Sequence, residues 1–205
     1  MKTAIAAAVC LSLSLASPAR GLATPVVIDF DTDPFASAVA SGTAVTTLYS
    51  SLGVTFTHVG PGDCGGGSEV FASSNCLNSG PISAPNVVTV CPRATCSAIS
   101  SNHQGFGRAN LAQAADEVCI DLLPTNDIQT IRVNTYRADG SPLGVAFVGG
   151  GGIHTQCMEG FGIGIRAIEF SGDGESFAWF DNLKITFSPV PTLPLTFGRL
   201  KAFYR

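Results

Sequence analysis

The chain has 205 residues, 15 of them acidic and 11 basic, for a net charge of −4 at pH 7. Only 13% of the residues are charged and 23 are glycine. Nucleic acid wants a basic face, so this balance argues against such a partner. The apolar residues come in short runs, which argues against stable membrane insertion.

The chain opens like a secretory leader: Lys2 supplies charge, residues 5–15 are apolar, and small residues follow, with cleavage expected after Ala19 or Ala23. Residues 1–23 are therefore expected to be a signal peptide. The mature protein is expected outside the cell, secreted or at its surface. Its length, about 180 residues, suffices for one domain with a real core.

Residues 26–30 read as a first strand and 31–42 as a loop; 52–58 alternate as a second strand. Residues 59–85 form a long stretch rich in Gly, Ser and Asn, read as a loop, and 86–90 a short strand. Residues 92–110 read as irregular, 109–117 as the one stretch fit for a helical turn or two, and 117–122 as a strand. The clearest hairpin joins 128–136 to 143–148 through Asp139-Gly140, a pair suited to a tight turn. Four glycines follow at 149–152, then strands at 153–158 and 163–170 and a closing strand at 178–187. About nine strands with turn signals between them predict an all-β fold. The expected architecture is an antiparallel β-sandwich of jelly-roll type over residues 24–187, with long disulfide-pinned loops. The segment 188–205 is Pro-rich and weakly basic; it reads as a disordered terminus or as a remnant of a sorting segment.

Seven cysteines are present and Cys10 lies in the leader. The remaining six, Cys64, Cys76, Cys91, Cys96, Cys119 and Cys157, are even in number in an exported chain and read as three disulfides. The favoured pairing is Cys64–Cys76, Cys91–Cys96 and Cys119–Cys157. The rival, a zinc site, lacks paired C-x-x-C spacing. Gly62-Asp63-Cys64-Gly65-Gly66 imitates a protease nucleophile motif, but too little chain precedes it to build that fold.

In the closing strand, period two places Phe177, Trp179, Asp181, Leu183, Ile185 and Phe187 on one face, expected to be core. A carboxylate there is either hydrogen-bonded or a cation ligand. Asp29, Asp31 and Asp33 alternate where the first strand meets its loop, and three such acids can converge as oxygen ligands for a structural Ca²⁺. The alternative is a solvated acidic loop.

Aromatic platforms for a sugar are sought at Tyr49, Phe71, Phe106 and Tyr136. Tyr136 has the parity opposite Ile131, Val133 and Thr135 and so is expected to face outward. Arg108 ends a donor-rich segment, 102–108, that also carries His103. Glycosidase chemistry needs two carboxylates about 5–10 Å apart; Glu69, Glu117, Glu159, Glu169 and Glu175 are available, but no spacing singles out a pair.

Three segments together resemble a known family. They are Ile28-Asp29-Phe30 with the run 45–56; the hairpin 133–144; and Gly164-Ile165-Arg166-Ala167-Ile168-Glu169-Phe170 with Phe180-Asp181-Asn182-Leu183. This resembles the secreted jelly-roll domains, related in shape to galactose-binding and carbohydrate-binding modules, of exported bacterial proteins with PEP-CTERM-type sorting tails. The resemblance implies the sandwich fold, and a Ca²⁺ shared between Asp29 or Asp31 and Asp181. The expected function is a non-catalytic exported module binding carbohydrate or extracellular polymer through Tyr49, Phe106, Arg108 and Tyr136. The alternatives are a structural or adhesive surface protein that binds other proteins and, behind it, a secreted hydrolase.

Overall fold

The computed structural model describes residues 24–59, 70–74, 86–89, 106–124, 130–149, 152–172 and 178–188. The leader, Cys64, Cys76, Cys91, Cys96 and the segment 189–205 lie outside these residues. At a few strand positions, Phe106 and Trp179 among them, only the backbone is described.

Among the described residues there are ten strands: β1 (Val26–Ile28), β2 (Val54–Val59), β3 (Phe71–Ser74), β4 (Asn86–Thr89), β5 (Phe106–Pro124), β6 (Thr130–Tyr136), β7 (Pro142–Gly149), β8 (His154–Glu159), β9 (Ile165–Gly172) and β10 (Ala178–Phe187). Every pairing between them is antiparallel, as the alternating sequence implies. The fold is an antiparallel β-sandwich.

The two layers share one strand. The first half of β5 pairs with β2 on one edge and β9 on the other; β9 carries β6, and β6 carries β7. The second half of β5 pairs with β8 and β10, and β10 continues to β1 and β4, with β3 beyond β4. The register against β9 breaks between Asn110 and Ala115, where Ala112 and Gln113 are exposed. Strands that switch layers do so at such irregularities. On the open side, the Met158 Cε of β8 would lie 3.1 Å from a Cβ on Gly144 of β7, so those two edges close against each other.

The core follows from parity. Phe56, Ala109, Ile168 and Thr135 form one inward row across β2, β5, β9 and β6, all buried. Val118, Ile120, Leu122, Leu183, Ile185 and Ile28 face them from the second layer. Phe30, Tyr49 and Phe56 stack edge-on with centroids 5.6 to 6.2 Å apart. Such pairs add about 0.5–1.5 kcal/mol each beyond burial. They hold Phe30 at a φ of 59°, a left-handed conformation unusual for a non-glycine residue.

Three expectations need correction. Residues 109–117 are not a helical turn: they lie inside β5, a strand of 19 residues. Their Ala, Asn, Gln and Asp residues have weak β preference, and pairing on both edges overrides it. Part of the long loop is a strand, β3, held by β4 and by backbone bonds between Ala72 and Thr43 and between Gly42 and Ala72. In β10, strict alternation fails. Asn182 has a φ of 47° and the register slips between Asp181 and Lys184. This bulge buries Phe180, 4.5 Å from the Phe170 ring, as well as Asp181, Leu183 and Ile185.

Candidate functional site

The outward rows of the first layer are read directly from its register. One row crosses five strands as Thr57, Arg108, Glu169, Asn134 and Val145. The next is Thr55, Asn110, Ala167, Tyr136 and Pro142. On the other side, Arg132 stands opposite Phe147 of β7 and Ser171 of β9. Directly opposed side chains on one face have Cβ atoms about 4.5–5.5 Å apart, so these rows form one continuous surface.

The polar members are locked together. Arg108 Nη1 donates to Glu169 Oε1 at 2.9 Å, an ion pair whose side chains are 25% and 8% exposed. The Tyr136 hydroxyl donates to Glu169 Oε2. Arg108 Nε donates to Asn110 Oδ1 at 3.1 Å, and Asn110 Nδ2 donates to Thr57 Oγ1 at 3.2 Å. The Arg108 guanidinium also lies over the Tyr136 ring, 4.7 Å from its centroid. Burial, and then the bond to Glu169, hold the Tyr136 hydroxyl above the usual tyrosine range.

Beside this network an open groove of about 460 Å³ is lined by Arg132, Asn134, Tyr136, Glu169, Leu143 and Val145, among others. That size lies within the range of small-ligand sites. Val145 and Phe147 on β7 are 55% and 62% exposed. The groove therefore combines fixed hydrogen-bonding groups with an apolar wall.

The structure brings Arg108 and Tyr136 together, as members of one network. Arg108 lies in β5, not in a loop. Phe106 pairs with Val59 at the end of the same sheet, and its side chain lies outside the described residues. Tyr49 must be corrected: it is 1% exposed in the core and its hydroxyl donates to the Thr32 carbonyl at 3.0 Å, so it offers no surface to a ligand. Two residues of the face were not singled out from sequence. Glu169 is 61 residues from Arg108, and only the β5–β9 register joins them. Phe147 had a signal: the Asp-Gly turn sets the hairpin register, which places it opposite Arg132 and away from Val133.

The expected convergence of Asp29, Asp31, Asp33 and Asp181 is not seen, since no three of them bring carboxylate oxygens within 4.8 Å of one another, although the charge of each reaches Tyr49. Burial first, then the charges of Asp29, Asp31, Asp33 and Asp181, push the Tyr49 hydroxyl far above its usual range. Each carboxylate also accepts backbone bonds. Asp29 Oδ1 takes the Asp31 and Thr32 N–H groups, and Asp31 Oδ1 takes that of Asn86. Asp33 Oδ1 takes the N–H groups of Phe35 and Ser37, and Asp181 Oδ1 takes that of Asn182. The buried Asn86 side chain fastens the loop further through the carbonyls of Phe30 and Val39.

The favoured Cys119–Cys157 pairing is present as a disulfide, with the two residues directly opposed between β5 and β8. Glu117 lies close to both sulfurs, and this is the group of three ligand types gathered within 4.8 Å among the described residues. Both sulfurs are consumed in the disulfide. Among the described residues no helix is long and apolar enough to cross a membrane.

No family model matches the chain, and no curated protein matches it. Two solved structures are similar in shape. One comprises the CBM22-1 and GH10 modules of endo-1,4-β-D-xylanase 10B from Clostridium thermocellum, complexed with xylohexaose. It is 11% identical with a TM-score of 0.42, covering 79% of this chain and 28% of that one. The other is a cleaved adhesin domain of Lys-gingipain from Porphyromonas gingivalis, 10% identical with a TM-score of 0.44, covering 79% of this chain and 97% of that one. The chain thus spans under a third of the xylanase structure.

Proposed function

We propose that the chain is an exported, non-catalytic module that binds carbohydrate or another extracellular polymer on the outer face of its first layer. The observation that carries this reading is the Arg108–Glu169–Tyr136 network beside a groove walled by Leu143 and exposed Val145, with exposed Phe147 two residues farther along β7. Sugars present an apolar ring face rimmed by hydroxyls, and this surface offers an aromatic ring next to fixed donors and acceptors. The non-catalytic part is supported by the groove's acid content. Among its described lining residues Glu169 is the carboxylate, and both its oxygens are engaged. Two carboxylates acting across a bond are what glycoside hydrolysis requires.

The test is affinity electrophoresis of the oxidised mature chain through gels containing different polysaccharides. Retardation by at least one polymer is expected; migration unchanged in all of them defeats the reading.

The second reading, an adhesive protein, is favoured by the β8–β9 turn, where Phe161 and Ile163 are 74% and 60% exposed. A structural Ca²⁺ also belongs to the proposal. The negative charges of four carboxylates all act on one buried hydroxyl, and a cation with oxygen ligands near them would offset that charge. Asp29, Asp31, Asp33 and Asp181 are the candidate ligands, and because no three of their carboxylates lie within 4.8 Å of one another they would have to close around the ion. Adding Ca²⁺ to chelator-treated protein is expected to raise its melting temperature, and an unchanged melt removes the ion from the proposal.

A further inference from the structure

We propose that the Cys119–Cys157 pair, once reduced, forms with Glu117 and Glu159 a site for a thiophilic divalent cation such as Zn²⁺ on the outer face of the second layer. The β5–β8 register sets the two cysteines directly opposite each other, and two residues along it sets Glu117 opposite Glu159. Residues two apart share one face of a strand, so all four side chains stand together on the outward side. The sequence has no paired C-x-x-C spacing, and here the strand register gathers the ligands instead.

The two sulfurs and a carboxylate oxygen of Glu117 already lie within 4.8 Å of one another. Zn²⁺ binds sulfur at about 2.3 Å and carboxylate oxygen at about 2.0–2.2 Å, so a tetrahedral site holds its ligand atoms roughly 3.5–3.8 Å apart. With the S–S bond broken, side-chain rotation brings the sulfurs to that spacing. Thiolate ligands select soft cations over Ca²⁺ and Mg²⁺, which separates this site from the aspartates near Tyr49.

The charge of the face points the same way. Carboxylates directly opposed across a strand pair are destabilising when nothing lies between them. Across β10, Glu117 meets uncharged Thr186, and neither glutamate has a hydrogen-bond or ion-pair partner among the described residues. Lys184 of β10, opposite Cys119, is the cation this register supplies. Two carboxylates and two thiolates outweigh that one ammonium, and a divalent ion offsets most of the excess.

Cys157 is exposed, so a small dithiol reaches its sulfur. One thiolate of the dithiol attacks that sulfur and Cys119 leaves; its second thiol then displaces Cys157. The dithiol becomes a cyclic disulfide, and its two electrons and two protons pass to the protein sulfurs. The cation binds these sulfurs as thiolates and sends the two protons to solvent. A coordinate link between β5 and β8 thereby replaces the covalent one.

The test reduces the mature chain with a dithiol, removes the dithiol without oxygen, and alkylates with and without one equivalent of Zn²⁺. Mass mapping reads each cysteine separately. Zn²⁺ is expected to slow alkylation of Cys119 and Cys157 about tenfold or more, as occupation of both thiolates implies. Equal rates, or protection confined to the other four cysteines, overturn the site. Glu117→Gln keeps both sulfurs and should weaken Co²⁺ binding, read from its visible bands, by about tenfold or more; unchanged affinity overturns the mixed ligand set. If the reduced chain unfolds, Zn²⁺ should restore its thermal transition, and a melt that stays absent with Zn²⁺ also overturns the proposal.

Discussion

The outer faces of the two layers are built from similar strands and organised differently. On the second layer, Glu117 stands directly opposite Glu159, a like-charged pair, and the next outward pair is the Cys119–Cys157 disulfide. Farther along, Asp121 accepts bonds from Thr155 Oγ1 and Asn182 Nδ2, which fastens the β10 bulge to β5 and β8. On the first layer no covalent bond crosses the described face. Its polar side chains are fixed by one another and border a groove. One face carries the fastening of the fold and the other the polar network and its groove, and β5 contributes to both.

That division makes the disulfide the largest lever on stability. Its residues are 38 apart in sequence. Constraint of the unfolded chain by a loop of that length is worth about 4 kcal/mol in the chain-entropy picture. Replacing both cysteines with alanine should lower urea stability by up to that amount. Polymer binding by the folded fraction should be unchanged, and a loss of binding beyond the loss of fold would erase the separation between the faces.

Gly107→Ala probes the first layer from inside. A Cβ there would fall 2.2 Å from Cε2 of Phe170, so the ring or the strand must move. Overpacking of this kind costs about 1–3 kcal/mol. Because the next register pair is Arg108 and Glu169, both stability and binding should fall. Unchanged urea midpoints would mean that the ring has room to turn.

Glu169→Gln should act mainly on binding. It removes the ion pair with Arg108 and weakens the hold on Tyr136, releasing both from their present positions. A loss of about 1–3 kcal/mol in stability is expected for a hydrogen-bonded charged partner that is mostly buried. Retardation by the bound polymer should fall further than that loss of folded protein explains. Titration of the unfolding curve and the affinity gel on one sample checks both.

The smallest effects are those of pH. Tyr49 is held protonated in the fold, by burial first and then by the neighbouring carboxylates. The unfolded tyrosine ionises near its ordinary value of about 10. Stability should therefore be level below about pH 10 and fall as pH rises beyond it, while the folded state alone keeps the proton. His58 runs the other way: burial lowers its pKa, so stability holds above about 6.5 and declines as pH falls below it. Tyr49→Phe should flatten the alkaline limb and His58→Gln the acid one, both read from thermal melts across pH.

Much of this was legible in sequence where local chemistry decides. The β6–β7 hairpin follows its Asp-Gly turn, and Tyr136 faces outward because Ile131, Val133 and Thr135 face in. The Cys119–Cys157 pair also matches expectation. What was not legible depends on residues far apart. The length of β5 comes from partners on both edges, not from its weakly β-forming residues. Period two places Asp181, Leu183 and Ile185 of β10 in the core as expected, but it misses the burial of Phe180, because a single left-handed residue, Asn182, breaks the alternation. Tyr49 carries a polar tip and an apolar body, and only the packing against Phe30 and Phe56 shows which one prevails.

A strand paired along both edges through two layers also governs motion. To open either layer, the molecule must break ladders on β5, and the same strand then loses support in the other layer. The layers therefore cannot part like the covers of a book. Backbone amides of β5 should be among the last to exchange with solvent, and a ligand pulling on the groove loads the disulfide end through a continuous chain of backbone bonds.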